Sequence, residues 1–352
     1  MPNSGIKGKF ICYKDFEDVH PINVFGKELK MPKNETKYLN KHILFRKKFT
    51  LSGFKSVKLR VTADDYYKLY INGVYVTQGP LSGYPNSYYY NELDITDYLK
   101  QGENLIAAHT YYQGLVNRVW VSGDMREMFW CELYVDGKIA LVSDETFKCT
   151  IHRGFGERGI FGYDTQFAET VDSGAKEVGF SRLDFDDSYW DYASIYKNAD
   201  YNLIKSPTKQ LSEYSVKPVI VNKNADTVFL DFGRERVGYL TLKAKGKAGD
   251  IVTVKYGEEL NDDGSVRFNL RCNCDYKDEW KLIDGESEFS TFDYKAFRFV
   301  EIDMPQGAEI TDCSMIVRHY PFKLNATFHI DNPSLNKIIE LCVNTIFNIY
   351  VN

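Results

Sequence analysis

Residues Tyr67-Lys68-Leu69-Tyr70-Ile71-Asn72-Gly73-Val74-Tyr75-Val76 decide the fold. Apolar and polar side chains alternate on both sides of Asn72-Gly73, the period of a half-buried strand. Asn-Gly supplies two residues that accept positive φ, which a two-residue hairpin turn needs at both central positions. The same arrangement recurs at Glu132-Leu133-Tyr134-Val135-Asp136-Gly137-Lys138-Ile139-Ala140, with Asp136-Gly137 at the tip. Two hairpins built this way predict antiparallel sheet.

Upstream, residues 43–51 and 57–63 keep the same alternation. Between the hairpins, Leu93-Asp94-Ile95-Thr96-Asp97-Tyr98-Leu99-Lys100-Gln101-Gly102-Glu103-Asn104 predicts a short helical turn capped by Thr96 and closed at Gly102. It leads into Leu105-Ile106-Ala107-Ala108-His109, which reads as a buried strand. Strands every 8–12 residues with turn signals between them describe a β-sandwich, and no βαβ alternation is present.

Residues 1–38 are polar and weakly patterned and read as an arm or edge strands. Residues 39–205 form the predicted first sandwich. Residues 206–225 carry Pro207 and Pro218 among mixed polar residues and read as a linker. The strand pattern resumes over 226–328, with turns marked by Gly246-Lys247-Ala248-Gly249-Asp250 and Asp262-Asp263-Gly264, predicting a second sandwich. In 329–352, Leu335, Ile338, Ile339, Cys342 and Ile346 follow the spacing of an amphipathic helix after Asn332-Pro333. The expected class is therefore all-β: tandem antiparallel, jelly-roll-like sandwiches with one C-terminal helix.

Composition narrows the function. A chain of 352 residues is long enough for two or three domains, and its 15% aromatic content suits strands. A net charge of −5 gives no basic footprint, so nucleic acid is not an expected partner. No run of apolar residues is long enough to span a bilayer, and no membrane partner is expected. Seven cysteines without regular spacing, behind an N-terminus lacking a signal-peptide pattern, lead us to expect a reducing, cytoplasmic setting.

Several motifs tempt and fail. Glu258-Glu259 are adjacent on a strand, so they point to opposite faces and cannot flank one bond. Gly154-Phe155-Gly156-Glu157-Arg158-Gly159 matches a dinucleotide fingerprint, but the next residues, Ile160-Phe161-Gly162-Tyr163-Asp164, do not read as the helix it needs. Cys272-Asn273-Cys274 is too tight for zinc, and the six histidines form no sequence cluster. Asp184, Asp186 and Asp187 do not complete a calcium loop. No catalytic residue and no metal ligand is assigned. Sugar binding is the positive reading, because a sugar needs an aromatic face and a few polar groups for its hydroxyls. Two segments offer that mixture: residues 84–90, and Tyr163, Asp164 and Gln166 with Trp120.

Three groups of motifs together resemble the bacterial α-L-rhamnosidase family. The first is Tyr70 to Val76, Gly79-Pro80, Leu93-Asp94-Ile95-Thr96 and Gly102-Glu103-Asn104. The second is Ser143-Asp144-Glu145-Thr146-Phe147-Lys148, Gly162-Tyr163-Asp164-Thr165-Gln166 and Phe185-Asp186-Asp187-Ser188-Tyr189-Trp190. The third runs from Asp231-Phe232-Gly233-Arg234 through Gly238-Tyr239 and Gly257-Glu258-Glu259-Leu260 to Phe297-Arg298-Phe299-Val300-Glu301. The resemblance covers residues 40–352, with the last helix similar to the family's lead-in to its catalytic barrel. Two departures stand out. The family usually has Gln where this chain has Arg234, and often a Gly-Trp pair where it reads Tyr111-Tyr112-Gln113-Gly114.

The resemblance implies an inverting two-carboxylate glycosidase acting on terminal α-L-rhamnosides. Both carboxylates would lie in a helical barrel beyond residue 352, so this chain is expected to be a non-catalytic accessory portion, inactive alone. Trp120, Tyr163, Asp164 and Gln166, read above from their own chemistry, are the residues expected to contact carbohydrate. No cofactor is assigned, although some rhamnosidases bind rhamnose through calcium, a role Asp164 would fill. The competing expectation is a free-standing carbohydrate-binding or structural module with no hydrolase role.

Overall fold

The structure, a computed structural model, describes residues 5–22, 37–116, 122–162, 165–224 and 226–349. It divides into two compact units. The first comprises Met1–Phe155, Tyr163–Phe167 and Ala175–Pro207; the second comprises Gly156–Gly162, Ala168–Gly174 and Thr208–Asn352.

In the first unit, among the described residues, two sheets form the sandwich. One runs Ser194–Ile195, Ile11–Cys12, Met128–Val135, Val57–Asp64, Tyr88–Asp94, Leu203–Lys205, with Lys138–Val142 paired to Met128–Val135. The other runs Asp191–Tyr192, Lys148–Ile151, Lys41–Leu51, Gly102–Tyr112, Tyr66–Ile71, Val74–Gly79. The pairing is antiparallel except for Leu203–Lys205, which lies parallel to Tyr88–Asp94. Ile43, Phe45, Tyr67, Leu69, Ile106 and Ala108 meet Val57, Leu59, Val61, Phe129, Trp130 and Leu133 in the core.

Both hairpins form as read. Asn72 and Gly73 have φ of 51° and 87°, Asp136 and Gly137 φ of 48° and 81°. Their side chains explain why neighbouring motifs travel together. Asn72 accepts from the Leu105 amide at 2.8 Å and donates to the Tyr98 carbonyl and to Asn104 Oδ1. Asn104 in turn closes the turn at Gly102 through Lys100 and Gly102 carbonyls. The turn at Thr96–Tyr98 is a 3-10 turn, and its cap differs from expectation. Asp94 Oδ1 accepts from the Thr96 amide and hydroxyl, while Thr96 Oγ1 accepts from the Val57 amide. The longer, charged carboxylate reaches the turn; the threonine instead ties it to the neighbouring strand Val57–Asp64.

Strand Lys41–Leu51 is buried on both faces over residues 42–46, whereas Lys48 and Thr50 are exposed. Leu44 packs with Phe180, Phe185 and Trp190 rather than in the sandwich core. Arg46 donates through Nε to Asp187 Oδ2 at 2.8 Å and through Nη1 to the Arg182 carbonyl. Its guanidinium lies 5.1 Å from the Phe185 ring centre and 5.8 Å from that of Trp190.

In the second unit the strands follow the order Phe155–Ile160, Phe167–Asp172, Lys277–Lys281, Ile251–Gly257, Lys295–Asp303, Thr227–Gly246, Glu309–His319, Ser212–Val216. Phe167–Asp172 pairs parallel with Lys277–Lys281; from Lys277–Lys281 to Ser212–Val216 the ladders are antiparallel. Strand Thr227–Gly246 pairs Ile220–Lys223 along its first part and Gly285–Ser290 along its second. Ser212–Val216 and Ile220–Lys223 lie inside 206–225, which the sequence read as linker. Proline-bounded edge strands carry the same polar composition as a linker. The helix runs Pro333–Ile349, capped by Asn332, whose side chain accepts from the Ser334 and Leu335 amides.

Candidate functional site

Of the four residues expected to touch sugar, Trp120, Tyr163 and Asp164 lie outside the described residues. Gln166 is described and half-buried, immediately before strand Phe167–Asp172. Its neighbour Thr165 accepts from Gln113 Nε2 at 3.1 Å. The Gln113 amide donates to Asp65 Oδ2 at 2.9 Å, and Ser122 Oγ donates to that oxygen at 2.7 Å while accepting from the Gly114 amide. The segments on either side of residues 117–121 thus converge with Thr165 on one buried carboxyl. In the other candidate segment, Tyr88 is core, its hydroxyl donating to the Ala63 carbonyl, and Tyr84 is exposed.

Asp65 belongs to an acid cluster that sequence reading missed. Tyr201 donates to Asp64 Oδ2 at 2.8 Å, and Arg126 bridges Asp124 and Asp200 at 2.7 Å each. Burial, then the charges of Asp124 and Asp65, drive Asp64 well above the usual carboxyl range. Burial raises Asp65 to about 7 and nearby Glu127 to about 8. In the second unit Glu169 rises to about 8, again from burial. It accepts from the Phe292 and Asp293 amides, and Lys295 stands 2.8 Å from Asp278 and 3.9 Å from Glu169.

A raised carboxyl is what a glycosidase's general acid requires, but it must also reach the scissile oxygen. Asp64, Asp65, Asp124, Glu127 and Glu169 are each under 10% exposed and bonded inside a sandwich. Glu258 is exposed and raised by partial burial and by Glu235 and Glu259, whereas Glu259 is taken up by Arg267 at 2.7 Å. None of these acids offers a pair opening on a cleft.

Three histidines also meet. His42 Nδ1 and His109 Nε2 are 3.0 Å apart, and the His152 ring lies 4.9 Å from that of His109, among Tyr111, Phe155 and Phe180. Burial holds His42 and His109 well below the usual range and His152 down to about 3, so all three are neutral. Among the described residues no group of three or more His, Cys, Asp or Glu could hold a metal ion. All seven cysteines are free thiols. No described helix is long and apolar enough to cross a membrane. Asp187 is committed to Arg46, and Asp186 caps its own turn at Ser188.

Comparison with known proteins turns these two sandwiches into a family assignment. The model of the α-L-rhamnosidase N-terminal domain matches residues 53–223, and that of the bacterial α-L-rhamnosidase concanavalin-like domain matches residues 221–319. The chain belongs to the bacterial α-L-rhamnosidase family. An α-L-rhamnosidase of Alteromonas sp. (strain LOR) is 28% identical over 312 residues, covering 80% of this chain and 32% of the relative. An α-L-rhamnosidase of Streptomyces avermitilis is 26% identical over 308 residues, covering 80% of this chain and 28% of the relative. A solved structure of a Streptomyces avermitilis α-L-rhamnosidase complexed with L-rhamnose superposes with a TM-score of 0.72 at 21% identity, covering 89% of this chain and 32% of that one. The family GH78 rhamnosidase of Bacillus sp. GL1 gives a TM-score of 0.80 at 12% identity, over 94% of this chain and 57% of that chain, which speaks for the fold alone. The chain spans about a third of the length of the curated relatives it matches. It corresponds to the accessory β-sandwich portion of these rhamnosidases.

The family motifs have structural reasons. Asp231 of Asp231-Phe232-Gly233 is gripped by both arms of Arg298, from Phe297-Arg298-Phe299, at 2.9 Å each. Gly233, at φ of 80°, donates its amide to Asp231 Oδ1 at 2.6 Å.

Proposed function

We propose that this chain serves the hydrolysis of terminal α-L-rhamnosides as a supporting and sugar-contacting part, while performing no hydrolysis itself. The observation that carries this reading is the enclosure of the raised carboxyls of Asp64, Asp65, Asp124, Glu127 and Glu169, each bonded to protein groups inside a sandwich, while the one exposed raised acid, Glu258, has a neighbour already tied to Arg267. The relatives' shared name supplies the substrate class, and the S. avermitilis structure is described as complexed with L-rhamnose. Trp120, Tyr163, Asp164 and Gln166 remain the residues we assign to sugar contact, with Asp164 as the group that would meet calcium. The buried thiols of Cys12, Cys131 and Cys149, raised chiefly by burial, fit a reducing, cytoplasmic setting.

The test is calorimetric titration of the chain with L-rhamnose, with and without calcium, beside an assay on an aryl α-L-rhamnoside. Binding that is weakened at least tenfold by Gln166→Ala or Trp120→Ala, with no turnover, is the expected result. Turnover by this chain overturns the non-catalytic reading, and absence of rhamnose binding overturns the sugar-contact assignment.

A further inference from the structure

Strand Thr227–Gly246 loses register between Asp231 and Arg236: Asp231 pairs Phe299, and Arg236 pairs Phe297. The ladder advances two residues on one side and five on the other, so the intervening residues bulge from the ladder with Lys295–Asp303. With Asp231 locked by Arg298 and Gly233 turned to positive φ, the excursion carries Arg234 into solvent and leaves Arg236 half-buried at its foot.

Both arginines line a cavity of about 970 Å³. Tyr214, His319 and Asn344 share its wall with apolar side chains, with the polar Thr327, His329 and Asn336, and with one acid, Glu340. Among the described residues no carboxylate stands within ion-pair distance of either guanidinium, Glu340 included. Arg236 donates to the carbonyls of Phe232 at 3.0 Å and Arg234 at 3.3 Å and is also hydrogen-bonded to the Tyr214 side chain, none of which carries a compensating charge. A guanidinium cannot shed its proton, so two of them side by side, one half out of water, carry an electrostatic cost that an anion would cancel. Burial first, and then the adjoining Arg234, work against the charge on Arg236, with Tyr214 working for it.

The other groups give the ligand's body. The Tyr214 and His319 rings meet edge to face with centres 5.6 Å apart. His319 Nδ1 lies 2.7 Å from the Tyr320 carbonyl, which fixes the ring's orientation. The Asn344 amide makes no hydrogen bond among the described residues and can serve a hydroxyl. The volume suits one or two sugar rings rather than a bare ion.

We propose that this cavity binds an acidic sugar, its carboxylate or sulfate oxygens held by Arg234 and Arg236 and its ring set against Tyr214 and His319. The planar fork of arginine matches either oxyanion. The sugar half of this assignment rests on the proposed role in glycan hydrolysis; the anion half rests on the arginine pair alone.

The experiment uses the full chain and four probes at low ionic strength: D-glucuronate, a sulfated monosaccharide, methyl D-glucoside and inorganic sulfate. Titration is expected to show one of the two acidic sugars binding at least tenfold tighter than the neutral glucoside and than inorganic sulfate. Which acidic sugar wins distinguishes carboxylate from sulfate ester. Arg234→Gln, an exposed change that leaves the fold intact, should weaken that sugar at least tenfold, and Arg236→Gln should do the same with an unchanged or higher unfolding temperature. The rhamnose response, read through Gln166→Ala, should not move in either arginine variant. Equal binding of glucoside and acidic sugars, or affinity indifferent to Arg234→Gln, overturns the proposal. Inorganic sulfate binding as tightly as the sugars overturns the sugar half. Loss of rhamnose binding with the acidic sugar retained instead counts against the wider functional reading.

Discussion

The two sandwiches differ in how they hold one deeply buried cluster of ionisable groups each. The first keeps His42, His109 and His152 neutral, and pushes Asp64, Asp65 and Glu127 toward their protonated forms. The second sets a cation among its acids, with Lys295 beside Asp278 and Glu169 and its ammonium 5.3 Å from the Tyr256 ring centre. Burial opposes the charge on Lys295, but Asp278 and Glu169 more than offset it. Neutralisation avoids the desolvation of a charge and makes stability depend on pH; pairing keeps the charge and makes stability depend on the partner.

Removing the partner should therefore have the largest effect. Lys295→Met leaves Asp278 and Glu169 facing each other without a cation, and we expect a loss of about 3–5 kcal/mol in urea unfolding at pH 7. Adding Asp278→Leu should restore part of it. A loss under about 1 kcal/mol would mean that both sandwiches rely on protonation.

Glu127 tests the opposite device. Its carboxyl titrates at about 8 in the fold, against about 4.5 when unfolded, so its contribution is complete below pH 4.5 and erodes as the pH rises toward 8. Glu127→Gln should gain on the parent by roughly 3 kcal/mol between pH 5 and 7. A gap between the two chains that stays constant over that range would put Glu127 in its ordinary ionised form.

His152 has the reverse sign. Held to about 3, it stays neutral while the unfolded chain takes up a proton near 6.5, so its contribution is complete above pH 6.5 and is lost as the pH falls. The parent should lose about 2 kcal/mol relative to His152→Phe between pH 6.5 and 5. Parallel unfolding midpoints at the two pH values would show an imidazole that titrates in the fold. Because the acids and the histidines pull in opposite directions, the parent's own profile should be flatter than that of either variant.

The smallest effect belongs to a site with no buried charge. At Gly73, φ is 87° and an added Cβ would meet nothing closer than 3.7 Å. Gly73→Ala should therefore cost about 1 kcal/mol through backbone strain, equally at every pH. A pH-dependent loss there would mean that the hairpin is coupled to the titrating groups.

Local rules made the hairpins legible, because Asn-Gly and Asp-Gly satisfy a backbone demand within two residues. The histidine cluster was not legible, because residues 42, 109 and 152 are brought together by strand register and by a covering segment. A partial signal existed. His42, Leu44 and Arg46 share one face of their strand, and the apolar run at 105–109 already implied that this face is covered. A covered polar face has to find partners, and Phe185 to Trp190 supplies them. At the acid cluster, Asp64-Asp65 ends one strand and Asp124 lies 60 positions on, a separation that no local pattern bridges. Edge strands within 206–225 were hidden for a different reason: their composition matches that of a linker. Of the four residues proposed to contact sugar, Gln166 alone falls among the described residues, and it adjoins the Thr165 carbonyl that accepts from Gln113 beside the acid cluster.

The excursion at residues 232–235 has a consequence for how such proteins diversify. Its ends are anchored, at Asp231 by Arg298 and at Arg236 by the resumed ladder, while the residues between them contribute no rungs to the ladder with Lys295–Asp303. Selection can rewrite them without renegotiating the strand pairing on either side. Under the acidic-sugar reading proposed above, a single exchange at position 234 alters the charge offered to a ligand at little cost to folding, making this short detour a place where new specificities can be tried one residue at a time.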